Sequence, residues 1–442
     1  MRKLKKILKP ISVIVLVLTF LCLYGFSVAY ICTGGKKLGP LTKPLKQFVF
    51  FPFTVQKTLE SKEIRGIPLT YIKKDDSFKA INKLKNDVYG INSFLLLDGD
   101  AWEIKLFNLR TDSSVHSWEL KKSVFNEGDG HLPFSNSPPL HSLLLPNRSL
   151  VTLCNATANL FRLDEKSNVV WHNTNKIFHH SLNIDTDNNI WACTSSARGL
   201  TKSNDSTVYS FIDDYITKID VETGKVLYDK SVSDILIENG YISYVHGFTN
   251  RVGSKPGDDP IHLNDIEPVM SASPYWKKGD LFLSLRNKSL ILLYRPETNK
   301  IIHFLSGPFL NQHDVDVYSE NEISLFNNNV TSIGADGAAA FVGEATSTSD
   351  SFGTAEILVY NFKDSTYRKH LKPHFDSEKI YSFTQCLHEI LSSGDVFVES
   401  QNNGTIYIMN NDNILLKKQF GTPMKHMIEQ PNWIRLYENI DF

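Results

Sequence analysis

The chain has 442 residues, 41% of them hydrophobic and 11% aromatic, and a formal net charge of −1. That is ample for one large domain or two ordinary ones, and the near-neutral balance excludes a global field that recruits nucleic acid. No Lys/Arg-rich tract follows the first dozen residues, so no nucleic-acid partner is expected.

The N-terminus stands apart. Met1-Arg2-Lys3-Leu4-Lys5-Lys6 is densely basic, and Ile11 to Ile31 then runs 21 residues without a charge. About 20 apolar residues span a bilayer core as a helix, and the basic flank places the short N-terminus in the cytosol. Residues 1–35 are therefore expected to be a cytosolic tip and transmembrane signal-anchor. The rest of the chain would be extracytoplasmic, whether periplasmic, extracellular or luminal. A cleaved signal peptide is the rival, but Val28-Ala29-Tyr30-Ile31-Cys32 lacks a small-x-small cleavage site. Residues 36–85, with the run Phe48-Val49-Phe50-Phe51-Pro52-Phe53, form a juxtamembrane segment, either stalk or membrane-hugging. The cysteines Cys22, Cys32, Cys154, Cys193 and Cys386 show no metal-type pair spacing; Cys22 lies inside the apolar run, and the other four allow at most two disulfides or are buried free thiols.

Over residues 86–442 short β-type runs alternate with polar turns, and a hairpin recurs. Its copies are Lys105–Arg110 with Ser114–Trp118, Leu160–Asp164 with Asn168–Trp171, and Ile216–Asp220 with Gly224–Tyr228. Then come Ile291–Arg295 with Lys300–Phe304, Ile357–Tyr360 with Thr366–Arg368, and Thr405–Met409 with Asn413–Leu416. Before most copies lies a further turn and strand, such as Pro146-Asn147-Arg148 to Leu153. Six such units predict an all-β, six-bladed β-propeller of four-stranded blades, because a ring buries every blade against its neighbours. A seventh blade has room in the long interval 230–275. A pair of β-sandwiches would give similar strand spacing but no histidines in register.

Histidines do fall in register. His179-His180 precede the turn Asp187-Asn188-Asn189 and the strand Ile190–Cys193. His262 precedes Lys278-Gly279-Asp280 and Leu281–Leu285, which runs into Arg286. His313 precedes Ile323–Phe326 and Asn327-Asn328-Asn329. His141 occupies a like place. A lone histidine there would ordinarily be a satisfied polar group. Recurrence gathers imidazoles around one axis, and three imidazoles with a guanidinium suit a tetrahedral oxyanion.

These residues resemble the arylsulfotransferase family of exported six-bladed propeller enzymes. The matching pieces, in family order, are Gly66–Thr70, Phe94–Asp98 with Val115-His116-Ser117-Trp118, His179-His180, Asp259-Pro260-Ile261-His262-Leu263-Asn264, Ser284-Leu285-Arg286 and Gln312-His313-Asp314. The resemblance implies a sulfohistidine at His313, with His262 and Arg286 binding the sulfuryl oxygens and His180 completing the cluster. His179 and Asn264 would help to bind substrate, and either His179 or His180 aligns as the active-site member. The chain departs from the family at Leu325–Asn329, where Asp-Asn-Gly is commoner, and at Pro260, where an aromatic is common.

The implied chemistry is nucleotide-independent, ping-pong sulfuryl transfer from an aryl sulfate donor to a phenolic acceptor. No Gly-rich phosphate cradle is present, no cofactor or metal is expected, and positioned cations suit the dispersed charge of the transition state. A neutral imidazole can attack sulfur, and a second can protonate the leaving phenol. The competing readings are a non-catalytic membrane-tethered binding propeller, a quinone-dependent dehydrogenase and a histidine-ligated metal site.

Overall fold

In this computed structural model the described residues are 2–32, 47–51, 68, 70–96, 99–128, 133–201, 207–247, 259–330, 355–382 and 384–440. The chain divides into two compact units, Met1–Leu69 and Thr70–Phe442. Most of the segment 36–69, including Gly66, Ile67 and Leu69 of the first matching piece, lies outside the described residues.

In the first unit the apolar run is helical over Arg2–Cys32. Val13, Leu16, Leu23 and Phe26 on it are exposed. The expected span is not reproduced as such: among the described residues no helix is long and apolar enough to cross a membrane.

The second unit is an all-β propeller. Five sheets have the four-stranded antiparallel form. They comprise Tyr89–Leu95, Ala101–Asn108 and Ser113–Lys121 with Arg435–Tyr437; Pro139–Leu144, Leu150–Cys154, Leu160–Leu163 and Val169–Asn173; Ile177–Ile184, Asn189–Thr201, Thr207–Asp220 and Val226–Ser231; Leu263–Pro268, Leu281–Leu285, Leu290–Arg295 and Lys300–Leu305; and His313–Ser319, Glu322–Asn327, Glu356–Asn361 and Thr366–His370.

The expectation of six four-stranded blades is therefore corrected to five. The sixth hairpin instead lies in a seven-stranded sheet, which joins Leu387–Ile390, Val396–Ser400, Thr405–Met409, Ile414–Gly421 and Met427–Glu429 with Tyr71–Lys73 and Ile81–Asn82. Those last two strands fall in the stretch expected to be juxtamembrane. Backbone pairing with Met427–Glu429 and Ile414–Gly421 draws them into the propeller, so the unit starts at Thr70 rather than 86. The interval 230–275 holds no further blade among its described residues: Val232–Glu238 and Ile242–His246 are helices, the first capped where Asp234 N–H donates to Ser231 Oγ.

Every recurring hairpin is realised as a strand pair, and burial explains why. In Leu281–Leu285, Leu281, Leu283 and Leu285 pack with Ile216 and Cys193, while Phe282 packs with Val315, Leu325 and Leu358. A strand wedged between two sheets is apolar on both faces, each fully buried Leu contributing about 1.5–3 kcal/mol. Cys154, Cys193 and Cys386 are buried free thiols.

The ring closes by joining the chain's ends. Arg435–Tyr437 pairs with Tyr89–Ile91 and becomes the inner strand of the sheet built from residues 89–121. Glu399 accepts from Trp433 and Ile434 N–H at 3.0 and 2.7 Å, and Glu389 from Leu436 N–H at 3.2 Å. Similar stitches join other inner strands, from Leu263 N–H to Asp214, Val315 N–H to Asp265 and His388 N–H to Asp314.

Candidate active site

The site is built by one backbone device repeated around the ring. Where the chain reaches each inner strand, a residue other than glycine adopts a left-handed conformation: His141 (φ 45°), His180 (57°), His262 (57°), Asp314 (53°), Gln385 (59°) with Cys386, and Trp433 (54°). Bulges accompany four of them, where pairing skips between Leu140 and Leu143, His179 and Leu182, Leu263 and Asp265, and His313 and Val315. A bulge re-aims side chains, and strain of about 1–3 kcal/mol per such residue is characteristic of functional sites.

At three neighbouring inner strands the device brings histidines together. The His180 ring centroid lies 5.0 Å from that of His262 and 6.1 Å from that of His313. His179, His180, His262, Arg286 and His313 all line one cavity of about 500 Å³, with Asp214, Asp259, Thr384, Gln385 and an apolar wall of Ile177, Ala197 and Ile212. That volume suits a small organic molecule. Trp433 backs the cluster, 5.5 Å from His180 and 6.4 Å from His313. The long hairpin Asn189–Thr201/Thr207–Asp220 supplies much of the wall.

Each functional side chain has a partner that sets its state. His313 Nδ1 lies 2.7 Å from Asn328 Oδ1, and its Nε2 accepts the Gln385 backbone N–H at 3.1 Å. Burial, then the Arg286 charge, hold the His313 pKa well below the usual imidazole range, so it is neutral near pH 7. Burial and the neighbouring His179 do the same to His180. His262 Nδ1 donates to Asp259. Burial works against the Asp259 carboxylate, but the bond from His262 and the surrounding positive charge outweigh it and keep its pKa low. Arg286 follows Leu281–Leu285, and its backbone N–H donates to the His262 carbonyl at 3.0 Å, locking the two together. Burial lowers the Arg286 pKa, yet a guanidinium stays charged.

The geometry separates His179 from His180. His180 faces His262 and His313, whereas His179 stands beside it, Nδ1 to Nδ1 at 2.8 Å, with its Nε2 3.3 Å from Asp214 Oδ1. Asn264 does not reach the cavity. It is fully buried and donates to the Gln312 carbonyl at 2.8 Å, because the left-handed turn at His262 and the bulge after Leu263 break strand alternation. His141 is also outside the cavity, accepting from Leu182 N–H and Arg435, each at 3.2 Å. Asp214, Thr384, Gln385 and Trp433 escaped the sequence reading, and Asn328 was in view only as part of the Asn327-Asn328-Asn329 turn. Asp259 was in view, in the Asp-x-x-His pattern, without a role.

Below the mouth, side-chain ligand atoms of Asp314, Asp316 and His388 lie within 4.8 Å of one another. His388 Nδ1 already bonds Asp314 and its Nε2 bonds Ser324 Oγ, both at 2.7 Å, so this group is a hydrogen-bonded network.

The profile of a family described as Arylsulfotransferase (ASST) matches residues 141–421. No curated protein matches the chain. Among solved structures, a protein of unknown function from Bacteroides caccae is 9% identical, covering 80% of this chain and 100% of its own, with a TM-score of 0.46. A streptogramin B lyase is 10% identical over 82% of this chain and 97% of its own, with a TM-score of 0.39. A virginiamycin B lyase from Staphylococcus aureus is 10% identical over 64% and 71%, with a TM-score of 0.33.

Proposed function

Because the chain belongs to the arylsulfotransferase (ASST) family, as the match over residues 141–421 shows, we propose that it moves a sulfuryl group from an aryl sulfate ester to a phenolic acceptor through a sulfohistidine at His313. The observation that carries this reading is a buried, neutral imidazole sharing one cavity with Arg286, His262 and His180.

In the first half-reaction the His313 Nε2 lone pair gives up its hydrogen bond from the Gln385 N–H and forms the N–S bond while the S–O bond to the aryl group breaks. The aryloxide takes a proton from Nε2 of His262, whose Nδ1–H is held by ionised Asp259. Arg286 and His180 face the sulfuryl oxygens, where charge is dispersed in the transition state. In the second half the acceptor phenol returns a proton to His262 and attacks sulfur, the N–S bond breaks, and His313 regains its lone pair. The Asp214–His179–His180 line holds the His180 ring toward the cavity.

The helix Arg2–Cys32 anchors this domain, with the N-terminus cytosolic and the propeller outside. Its exposed apolar side chains support that reading, as do Thr19 and Ser27, whose hydroxyls donate to carbonyls four residues back at 2.8 Å. Protease added to spheroplasts should digest the propeller. Protection of the whole domain would reverse the topology.

Incubation with 4-nitrophenyl sulfate should release phenol and leave one sulfuryl group on His313, and His313→Ala should abolish both. Full activity in His313→Ala would remove the sulfohistidine.

A further inference from the structure

Asn328 holds a place that the proposed chemistry has not used. It is fully buried, and its Oδ1 lies 2.7 Å from His313 Nδ1. Its amide nitrogen donates to two carbonyls, Ser382 at 2.9 Å and Gln385 at 3.0 Å. Both amide hydrogens are thereby spent, so Oδ1 must be the atom turned to the imidazole. Oδ1 can only accept, and His313 therefore carries its proton on Nδ1 and its lone pair on Nε2. The same short segment supplies the Gln385 N–H that meets that lone pair. One segment thus fixes Asn328, and Asn328 fixes the tautomer.

The chemical identity of the partner matters as much as its position. Sulfuryl transfer turns His313 into an N-sulfo imidazolium that still bears its Nδ1 proton. A carboxylate opposite Nδ1 would stabilise that cation, whereas an amide gives it a hydrogen bond and no neutralising charge. The charged and titratable groups facing His313 are Arg286, His262 and His180. The nearest carboxylates are engaged elsewhere, Asp259 with His262 and Asp314 with His388.

We propose that Asn328 is a positioning residue that holds His313 in the Nδ1–H tautomer and, by being a neutral amide, keeps the sulfohistidine short-lived enough to pass its sulfuryl group on. The inference rests on His313 being the nucleophile.

Three measurements test it. Nitrogen-15 NMR of the intact wild-type protein, free of substrate, should report a protonated Nδ1 and a bare Nε2 for His313. Asn328→Asp should move the acidic limb of phenol release upward by about one to three pH units, the range for a carboxylate beside an ionisable group. The same variant should lengthen the lifetime of the His313 adduct, read by quenched mass spectrometry, by roughly tenfold or more for each such unit. Asn328→Ala should lower the burst without moving the limb upward, and it separates loss of tautomer control from gain of charge. Because both variants disturb the Ser382 and Gln385 carbonyls, the NMR result is decisive if either fails to fold. An Nε2–H tautomer in the wild type overturns the proposal, as does a folded Asn328→Asp with wild-type limb and lifetime. A wild type with the Nδ1–H tautomer but no adduct keeps the positioning of His313 and overturns the nucleophile instead.

Discussion

The two halves of the ring use the same backbone device for different ends. His180, His262 and the Asp314 turn beside His313 start three neighbouring inner strands, and there the re-aimed side chains converge on a cavity. His141, Gln385 and Trp433 start the other three with the same left-handed backbone. There His141 caps the Leu182 N–H, the Gln385 backbone N–H meets His313, and the Trp433 ring backs the cluster while its backbone N–H is tied to Glu399. The strain is therefore paid all the way round, and only the chemistry of the side chain separates a reactive half from a supporting one. Changes at the cavity side chains of the first half should cut turnover and spare stability; changes at His141 and Glu399, which support the second, should do the reverse.

After the loss of all activity expected of His313→Ala, the largest effect is expected at Arg286. Arg286→Lys keeps a charge but loses the planar fork, so kcat should fall by about 10²–10³, the usual cost of removing one preorganised donor. Thermal unfolding should stay near wild type. A large loss of stability with full turnover per folded molecule would place Arg286 in the supporting half.

Much of this was legible in the sequence for a local reason. Period-two runs broken by Asp, Asn and Gly turns mark all six hairpins, and histidines in register mark the mouth. What escaped has non-local causes. Arg435–Tyr437 is three residues long and becomes a strand only because residues 89–91 leave an edge for it. The pairings of His313 with Asn328 and of His179 with Asp214 join different strands, and no spacing encodes them. Asn264, placed at the site by the family resemblance, is turned away from the cavity because the left-handed His262 and the bulge after Leu263 break the strand's alternation, and no glycine announces the break. The cytosolic tip and span were expected from hydropathy; the run is helical, but among the described residues no helix is long and apolar enough to cross a membrane.

Next in size is Glu399 in the supporting half. Burial pushes its pKa from 4.5 up to about 7, although two backbone N–H groups oppose this. Its folded pKa lies above the unfolded one, so between these values the unfolded chain gives up its proton first. Native stability is then lost as pH rises from about 4.5 to 7. At 1.36 kcal/mol per unit the loss amounts to about 3 kcal/mol. Glu399→Gln cannot ionise, so its stability relative to wild type should climb by that amount across the window in denaturant titrations. The depressed histidines His141, His180 and His313 drive stability the other way, lowering it as pH falls below about 6.5, but they are common to both proteins and cancel. A difference that is flat with pH would show Glu399 to be ionised throughout.

A smaller loss is expected from His141→Ala, which leaves the buried Leu182 N–H without its acceptor at a cost of about 1–3 kcal/mol. Phenol release per folded molecule should remain close to wild type. A turnover loss as deep as that of Arg286→Lys, with stability intact, would move His141 into the reactive half and dissolve the division between them.

The smallest effect tests whether the reactive half also chooses its substrate. Ile212 lies on the long hairpin, lines the cavity and is 40% exposed, which is unusual for a large apolar side chain and natural for one awaiting an aryl ring. Ile212→Ala removes apolar surface at about 0.8 kcal/mol per methylene equivalent, discounted because the site is half open. Roughly 1 kcal/mol should remain, or about a fivefold rise in KM for an aryl sulfate. That contact is the same before and during transfer, so kcat should hold and only KM should move. The protein should melt as wild type does, since little burial is lost. A fall in kcat at constant KM would mean that the wall acts on the transition state, and the apolar face would then belong to the machinery of transfer.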